Sequence, residues 1–243
     1  VVQDDGGVLN GGVDTTIQSF TVVVDPVNDE PTLSGIPDPS AILEDALEQT
    51  INLSGITSGA GNEVQALSVR VESSNPSLIP TPTVSYSSAD ETGSLRYTPV
   101  LDQHGSAVIR VVVQDDGGVL NGGVDTTIQS FTVIVDPVAD TPSITSSMTY
   151  EDTTTTTGLV ISRNVVDGEE VSHFKITEIS NGSLYRQDDG VVEIGEGEFI
   201  SYAAGSIGLL FEPFPDFNGI DSFKIHASTG VGESFLGGDE VLA

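Results

Sequence analysis

Apolar and polar residues alternate along this chain in short runs. In V-I-R-V-V-V at 108–113, Ile109, Val111 and Val113 fall on one side of an extended strand and Arg110 on the other. At 131–135, Phe131, Val133 and Val135 share a face in the same way. The runs are bounded by Gly, Pro, Asp and Asn, and almost nothing repeats at helical spacing. Between the two runs lies Q-D-D-G-G-V-L-N-G-G-V-D at 114–125, rich in the dipeptides that turn one strand back on another. The pattern predicts an all-β fold in which 106–136 is the last hairpin of a sandwich.

The same hairpin is written twice. Residues 1–27 recur at 112–138, an offset of 111, with one change: Val23 stands where Ile134 does. Near-verbatim repetition at this period marks a tandem array of domains. The first copy has no partner sheet in this chain, so it is expected either to be poorly stable alone or to pack against something outside this chain. A third, diverged repeat keeps the skeleton: L-R-Y-T-P-V-L-D-Q-H-G at 95–105 aligns with L-L-F-E-P-F-P-D-F-N-G at 209–219. Leu95 and Tyr97 then correspond to Leu209 and Phe211, and Ile109 and Val111 to Phe223 and Ile225.

The expected division is 1–27, the C-terminal hairpin of a preceding repeat; 28–138, a complete β-sandwich; and 139–243, a diverged sandwich truncated at its last strand. Its boundaries fall at the Pro-punctuated acidic segments 25–31 and 136–142. The Thr run at 153–157 reads as an edge segment or loop.

Composition narrows the picture. The period of 111 suits an immunoglobulin-type sandwich of roughly 100 residues. Aromatics make up 6%, so the cores must be mostly Val, Ile and Leu. With no Cys and no Trp, a disulfide-stapled antibody-like domain and any Cys-bound zinc or iron–sulfur site are excluded. Asp and Glu number 37 against 7 Lys and Arg, a formal charge of −30. Such a surface repels phosphate backbones, so no nucleic-acid partner is expected. It also self-repels unless cations neutralise it. A solubilising surface, or adaptation to salty water, accounts for the same charge. No stretch is apolar enough to insert in a membrane. The chain reads as a segment of a longer protein.

At its linkers the chain resembles the bacterial cadherin-like and immunoglobulin-like tandem repeats that carry a P-V-N-D-x-P signature, here P-V-N-D-E-P at 26–31. The Q-D-D-G-G…N-G-G-V-D hairpin, E-D-T at 151–153 and P-F-P-D-F-N-G-I-D-S-F at 213–223 extend the resemblance over most of the chain. It implies tandem cadherin-like sandwiches joined end to end, in large secreted or surface-anchored bacterial proteins, including adhesins, where such repeats act as extenders. Calcium at the domain junctions commonly stiffens them.

Calcium takes six to eight oxygen ligands from carboxylates, amide oxygens, backbone carbonyls and water. The first junction offers Asn28, Asp29, Glu44 and Asp45, with Asp25 or Asp102 as further ligands by the resemblance. The alternative is that these residues only shape turns. At the second junction Ala139 stands in place of Asn28, leaving Asp136, Asp140, Glu151 and Asp152 and the expectation of weaker binding. In D-F-N-G-I-D, Asp216, Asn218 and Asp221 place oxygens at intervals around a Gly, but the loop lacks the distal Glu of an EF-hand, and a turn is favoured.

Catalysis finds little support: His104, His173 and His226 are far apart, there is no G-x-S-x-G elbow, and no enzyme is expected. The reading is a non-enzymatic stalk segment of a bacterial extracellular or cell-surface protein, its partners being neighbouring repeats of the same chain. The alternatives are a ligand- or glycan-binding adhesive module, with Phe214 and Phe217 as exposed aromatics, and the subunit of a self-assembling extracellular fibre. A cell-surface glycan or protein would then be met through distal modules or by self-assembly.

Overall fold

A computed structural model describes residues 1–188 and 192–243. At the N-terminus, Val2–Gln3 (β1) and Thr15–Thr16 (β2) pair over two residues only. The middle repeat follows with Ile42–Leu43 (β3), Gln49–Ser54 (β4), Leu67–Ser73 (β5), Thr83–Ser85 (β6), Thr92–Tyr97 (β7), Gly105–Asp115 (β8) and Thr126–Asp136 (β9). They form two sheets, ordered β3-β9-β8-β5 and β4-β7-β6. Every pairing is antiparallel except β3 with β9, where Ile42 stands beside Val135.

The core lies between these sheets, as alternation requires. Ile109, Val111, Val113, Phe131, Val133 and Val135 are all buried and meet Leu53, Leu95 and Tyr97 from the facing sheet. Arg110 is exposed. Period-2 alternation fixes the register, because a one-residue slip would turn the whole set to solvent.

The third repeat is built alike: Ser143–Ile144 (β10), Ile161–Ser162 (β11), His173–Thr177 (β12), Gly182–Arg186 (β13), Glu193–Ile194 (β14), Phe199–Ser201 (β15), Leu209–Pro213 (β16), Lys224–Ser228 (β17) and Leu236–Leu242 (β18). Its sheets are β15-β12-β17-β18 and β14-β13-β16, with β10 and β11 paired apart. Leu209, Phe223 and Ile225 are buried, as their alignment with the middle repeat requires, and Phe211 packs on the same core. The Thr run lies along β16: the Thr155 amide donates to Phe211 O at 2.9 Å and its hydroxyl accepts from Phe211 N at 2.8 Å.

One element was not legible in the sequence, a helix at Tyr202–Ile207 (α1). Ser201 caps it by accepting the Ala204 amide at 3.2 Å, and it ends at Gly208 with φ +115°. Gly205 is required inside it, since a Cβ there would lie 2.8 Å from the Phe174 ring. Six residues are too few for a helical period to show.

The two copies of the hairpin sequence share their turn, with Asn10 and Asn121 both at φ +56°, but differ in the strands that flank it. In the middle repeat β8 and β9 run eleven residues each, in register from Gly105 opposite Val135 to Gln114 opposite Thr126. In the first copy only β1 and β2 form, and no strand follows between 17 and 31. Phe20 is 88% exposed where its twin Phe131 is 2%. A hairpin with nothing to pack on is marginal in water, so the facing sheet decides the outcome.

Candidate functional site at the two poles of the middle repeat

The polar groups that could act together lie at the two ends of the middle sandwich. At the first pole the linker residue Asn28 is wrapped by the β8–β9 turn. Its side-chain amide donates to Asp115 Oδ1 at 3.0 Å and to Val124 O at 2.8 Å, and its carbonyl accepts the Val124 amide at 3.2 Å. Gln65 Nε2 donates to Asn28 Oδ1. The neighbouring Asp29 amide donates to Glu63 Oε1 at 3.1 Å, and Asp116 Oδ1 accepts the Ala66 amide at 2.9 Å. Asp115 is 5% exposed and its Oδ1 also takes the Gly117 amide at 2.9 Å. Asp115 Oδ2, Glu63 Oε2 and Gln65 Oε1 remain buried with no hydrogen-bond partner. Buried oxygens are normally satisfied, so three such atoms at one pole are unusual.

The second pole joins the middle repeat to the third. The Glu44 amide donates to Asp136 O at 2.9 Å, and Glu44 Oε1 accepts the Val138 amide at 2.7 Å. Asp45, at φ +65°, accepts the Asp102 amide at 3.1 Å. From the third repeat, Asp167 accepts the amides of Asp140 at 3.0 Å and Asn164 at 3.2 Å, and Glu170 lies 3.4 Å from His104 Nε2.

Burial pushes the Glu44 carboxyl above its ordinary range, and Asp45 and Glu170 add to the shift against the Val138 amide and His104. Burial, then the charges of Asp167, Asp102 and Asp45, raise Asp140. Burial also raises Asp167, against the amides it accepts. Burial works to raise Glu170 too, but the amide of Gly168, its own amide and His104 outweigh it and hold the group below its usual range. Carboxylates from two repeats and their linker thus face one another here.

This arrangement corrects the grouping expected from sequence. Glu44 and Asp45 do not join Asn28 and Asp29: the two pairs sit at opposite ends of β9, a span of about 35 Å at strand rise. Asp102 and Asp136 lie with Glu44, and Asp25 is exposed on the unpaired arm. Glu151 and Asp152 are likewise away from Asp140, at the far pole of the third repeat. There Asp152 accepts the Asp216 amide at 3.0 Å, as Asp45 accepts that of Asp102. Asp221 accepts from Ser180 Oγ at 2.6 Å and Asn181 Nδ2 at 3.3 Å, and Asn218 is exposed, so the 216–221 oxygens serve separate contacts. Ala139, 1% exposed, packs against Gly237 where Asn28 makes polar contacts.

Glu63, Gln65, Asp115, Asp116, Asp167 and Glu170 were missed. For Asp115 a signal existed: it continues the inward series Ile109, Val111, Val113 at spacing two, placing a carboxylate on a buried face. The segment V-V-D-G-E-E at 165–170 carries no such sign. Among the described residues no group of three or more Asp, Glu or His side chains is gathered closely enough to hold a metal ion as it stands. The histidines lie in different surroundings, His104 beside Glu170, His173 beside Ser172 and His226 beside Gly238 O. Phe214, 54% exposed, rims a shallow 280 Å³ depression with Asp152, Ser183 and Glu212. No described helix is long and apolar enough to cross a membrane.

No protein-family model matches the chain, and no curated protein does. Among solved structures it is similar to the tandem Ig repeats of Dlar, at 11% identity over 87% of this chain and 95% of that one, TM-score 0.29. It is similar to the Yersinia pseudotuberculosis adhesin InvE at 17% identity, covering 88% and 57%, TM-score 0.30. It is similar to domains 4 and 5 of the S-layer protein SbsC at 18% identity, covering 43% and 53%, TM-score 0.28. The chain thus spans about half the length of that S-layer segment. Likenesses this loose carry no functional argument. Strand order and the two cores define the class of protein, a tandem array of immunoglobulin-like β-sandwiches.

Proposed function

We propose that this chain is a stalk segment of a bacterial cell-surface or secreted protein, its sandwiches held end to end by calcium at their junctions. The observation that carries the reading is that acids join the middle repeat to the third through the linker: Glu44 accepts the Val138 amide, Asp167 accepts the Asp140 amide, and Glu170 lies beside His104. Repeats that only needed solubility would not press carboxylates together where two bodies meet.

The donor chemistry suits a hard cation, since every candidate group is an oxygen. At the second pole no three acids among the described residues are gathered closely enough as they stand, so the ion would have to draw Glu44, Asp45, Asp102, Asp140, Asp167 and Glu170 closer to be held; at the first, Asp115, Glu63 and Gln65 offer buried oxygens without partners. Bound calcium supplies the positive charge that offsets their repulsion. The residues do the rest: Glu44 ties the linker to the sandwich through Val138, and Asp167 ties Asp140 to the next repeat. With a Kd of roughly 10⁻⁴ M, usual for extracellular modules, millimolar calcium stabilises each junction by about 1–2 kcal/mol. The role is mechanical, with no catalytic step.

Thermal unfolding and X-ray scattering in EDTA and in millimolar calcium test it. A higher melting temperature with a longer, stiffer envelope is expected. No change in either would reduce the acids to surface charge.

A further inference from the structure

The sheet β4-β7-β6 of the middle repeat has no Asp or Glu on any of its three strands, in a chain that carries 37. Alternation puts short polar side chains on its outer face: Leu53 and Leu95 are buried, while Asn52 and Ser54 are exposed and Ser94 is half-buried. Register sets Asn52, Ser94 and Ser85 abreast across the three strands, with Ser54 and Thr92 in the next row. Among the described residues none of these five side chains has a hydrogen-bond partner. The three-stranded sheet of the third repeat differs. It bears Glu193 and Glu212, and its Ser183 hydroxyl donates to Glu193 at 2.7 Å.

At its β6–β7 end the uncharged face deepens into a 430 Å³ depression, lined by Asn52, Ser85, Thr92 and Ser94 and by Tyr86 and Asp90 of the connecting loop. That size falls in the range of small-ligand clefts. The Tyr86 ring packs on the core and lies against Gly93, where a Cβ would come within 3.3 Å of it. Its hydroxyl is buried with no hydrogen-bond partner, a state that buried polar groups rarely keep. Burial, and then the Asp90 charge, raise the pKa of this hydroxyl, so it stays a protonated donor. Asp90 itself is exposed, and its carboxylate accepts no hydrogen bond from the described residues.

We propose that this depression is a subsite for a neutral sugar, one hexopyranose unit of a glycan. The inference goes beyond the stalk reading, because the array would then be adhesive along its flank. Ser85, Thr92 and Ser94 both donate and accept, the Asn52 amide offers one group of each kind, Asp90 accepts and Tyr86 donates. This mixture matches a ring of vicinal hydroxyls, each of them donor and acceptor, and one carboxylate can take two neighbouring hydroxyls at once. Charge favours a neutral ligand. An anionic sugar would meet Asp90, while Arg96 on the same face is held by Glu48 at 3.2 Å. A cationic ligand would gain little from a single exposed carboxylate.

The test titrates the full chain with the methyl glycosides of glucose, galactose and mannose, in EDTA and again in calcium, following backbone amide resonances. At least one sugar should give saturable shifts confined to Asn52 and the segment 85–94, with a Kd on the order of 1 mM, the scale for so small a ligand. Calcium should not change it, since no carboxylate of either pole lines the depression, so this proposal and the calcium reading can fail separately. Asp90→Ala should weaken binding about tenfold and Tyr86→Phe about threefold, the losses of a charged and a neutral hydrogen bond, and neither should lower the melting temperature. No saturable shift with any of the three sugars would overturn the proposal. Equal binding of glucuronate would overturn it as well, and so would native affinity in both variants.

Discussion

Glu44 Oε1 accepts the Val138 amide at 2.7 Å, although 94 residues separate them. The carboxylate is 6% exposed, and burial raises its pKa. It is therefore an acceptor that fixes the linker and a charge that the junction tolerates poorly. Glu44→Gln separates the two roles, because the amide oxygen can still accept from Val138. In EDTA the variant should be more stable than the native chain by a few tenths to about 1 kcal/mol, the scale of a relieved charge contact. In calcium the order should reverse, with the cation's stabilising increment cut by half or more. Melting curves in both buffers check this; the same shift in both would mean that the charge has no part in cation binding.

The pH dependence without cation follows from the raised carboxyls. Glu44, Asp140 and Asp167 all titrate above their ordinary values in the folded chain. The folded state therefore holds protons more tightly than the unfolded one, and stability falls as pH rises through the window between the two values. Glu170, held below its usual range, works in the opposite sense. Three raised groups against one lowered predict that in EDTA the junction is firmer just above the ordinary carboxylate range than at neutrality. Calcium should add most at neutral pH, where all four are ionised. Unfolding followed from pH 4.5 to 7.5, with and without calcium, gives both slopes.

Gly117 and Gly118 are adjacent but differ in what a methyl group would meet. A Cβ on Gly117 would overlap the Asn28 amide oxygen and Gln65 Nε2, the centre of the first pole. Gly118 sits at φ +76° with open space around it. Gly118→Ala should cost only the left-handed backbone strain, about 1–2 kcal/mol. Gly117→Ala should cost about 1–3 kcal/mol from overpacking, and should also displace Asn28 from Asp115. Chemical denaturation measures the costs, and amide exchange at Val124, which donates to Asn28 O, reports the displacement in Gly117→Ala alone.

Fold and site were not equally legible. Alternation placed Ile109, Val111, Phe131 and Val133 on buried faces because a strand's period is a local property of the chain. The repeat carried the same assignment to Leu209 and Ile225. The acids were harder. Glu44 follows Asn28 by sixteen residues, yet β9 and the β3 bridge carry it to the other pole. Sequence distance says nothing about which end of a sandwich a loop reaches. Asp115 and Glu63 are 52 residues apart and meet around one linker only because β8 ends where β5 begins.

The repeated hairpin allows one substitution to be made in two settings. Phe131 is fully enclosed between the sheets, and Phe131→Ala should destabilise the middle repeat by about 3–5 kcal/mol through lost burial and the cavity left behind. Phe20 occupies the same place in the same sequence but touches no core, and Phe20→Ala should stay within about 0.5 kcal/mol. Urea titrations give both values on one protein. Equal costs would mean that the arm is packed after all. The predicted gap would measure how much of a strand's stability is supplied by the facing sheet, since intrinsic propensity is the same at both sites.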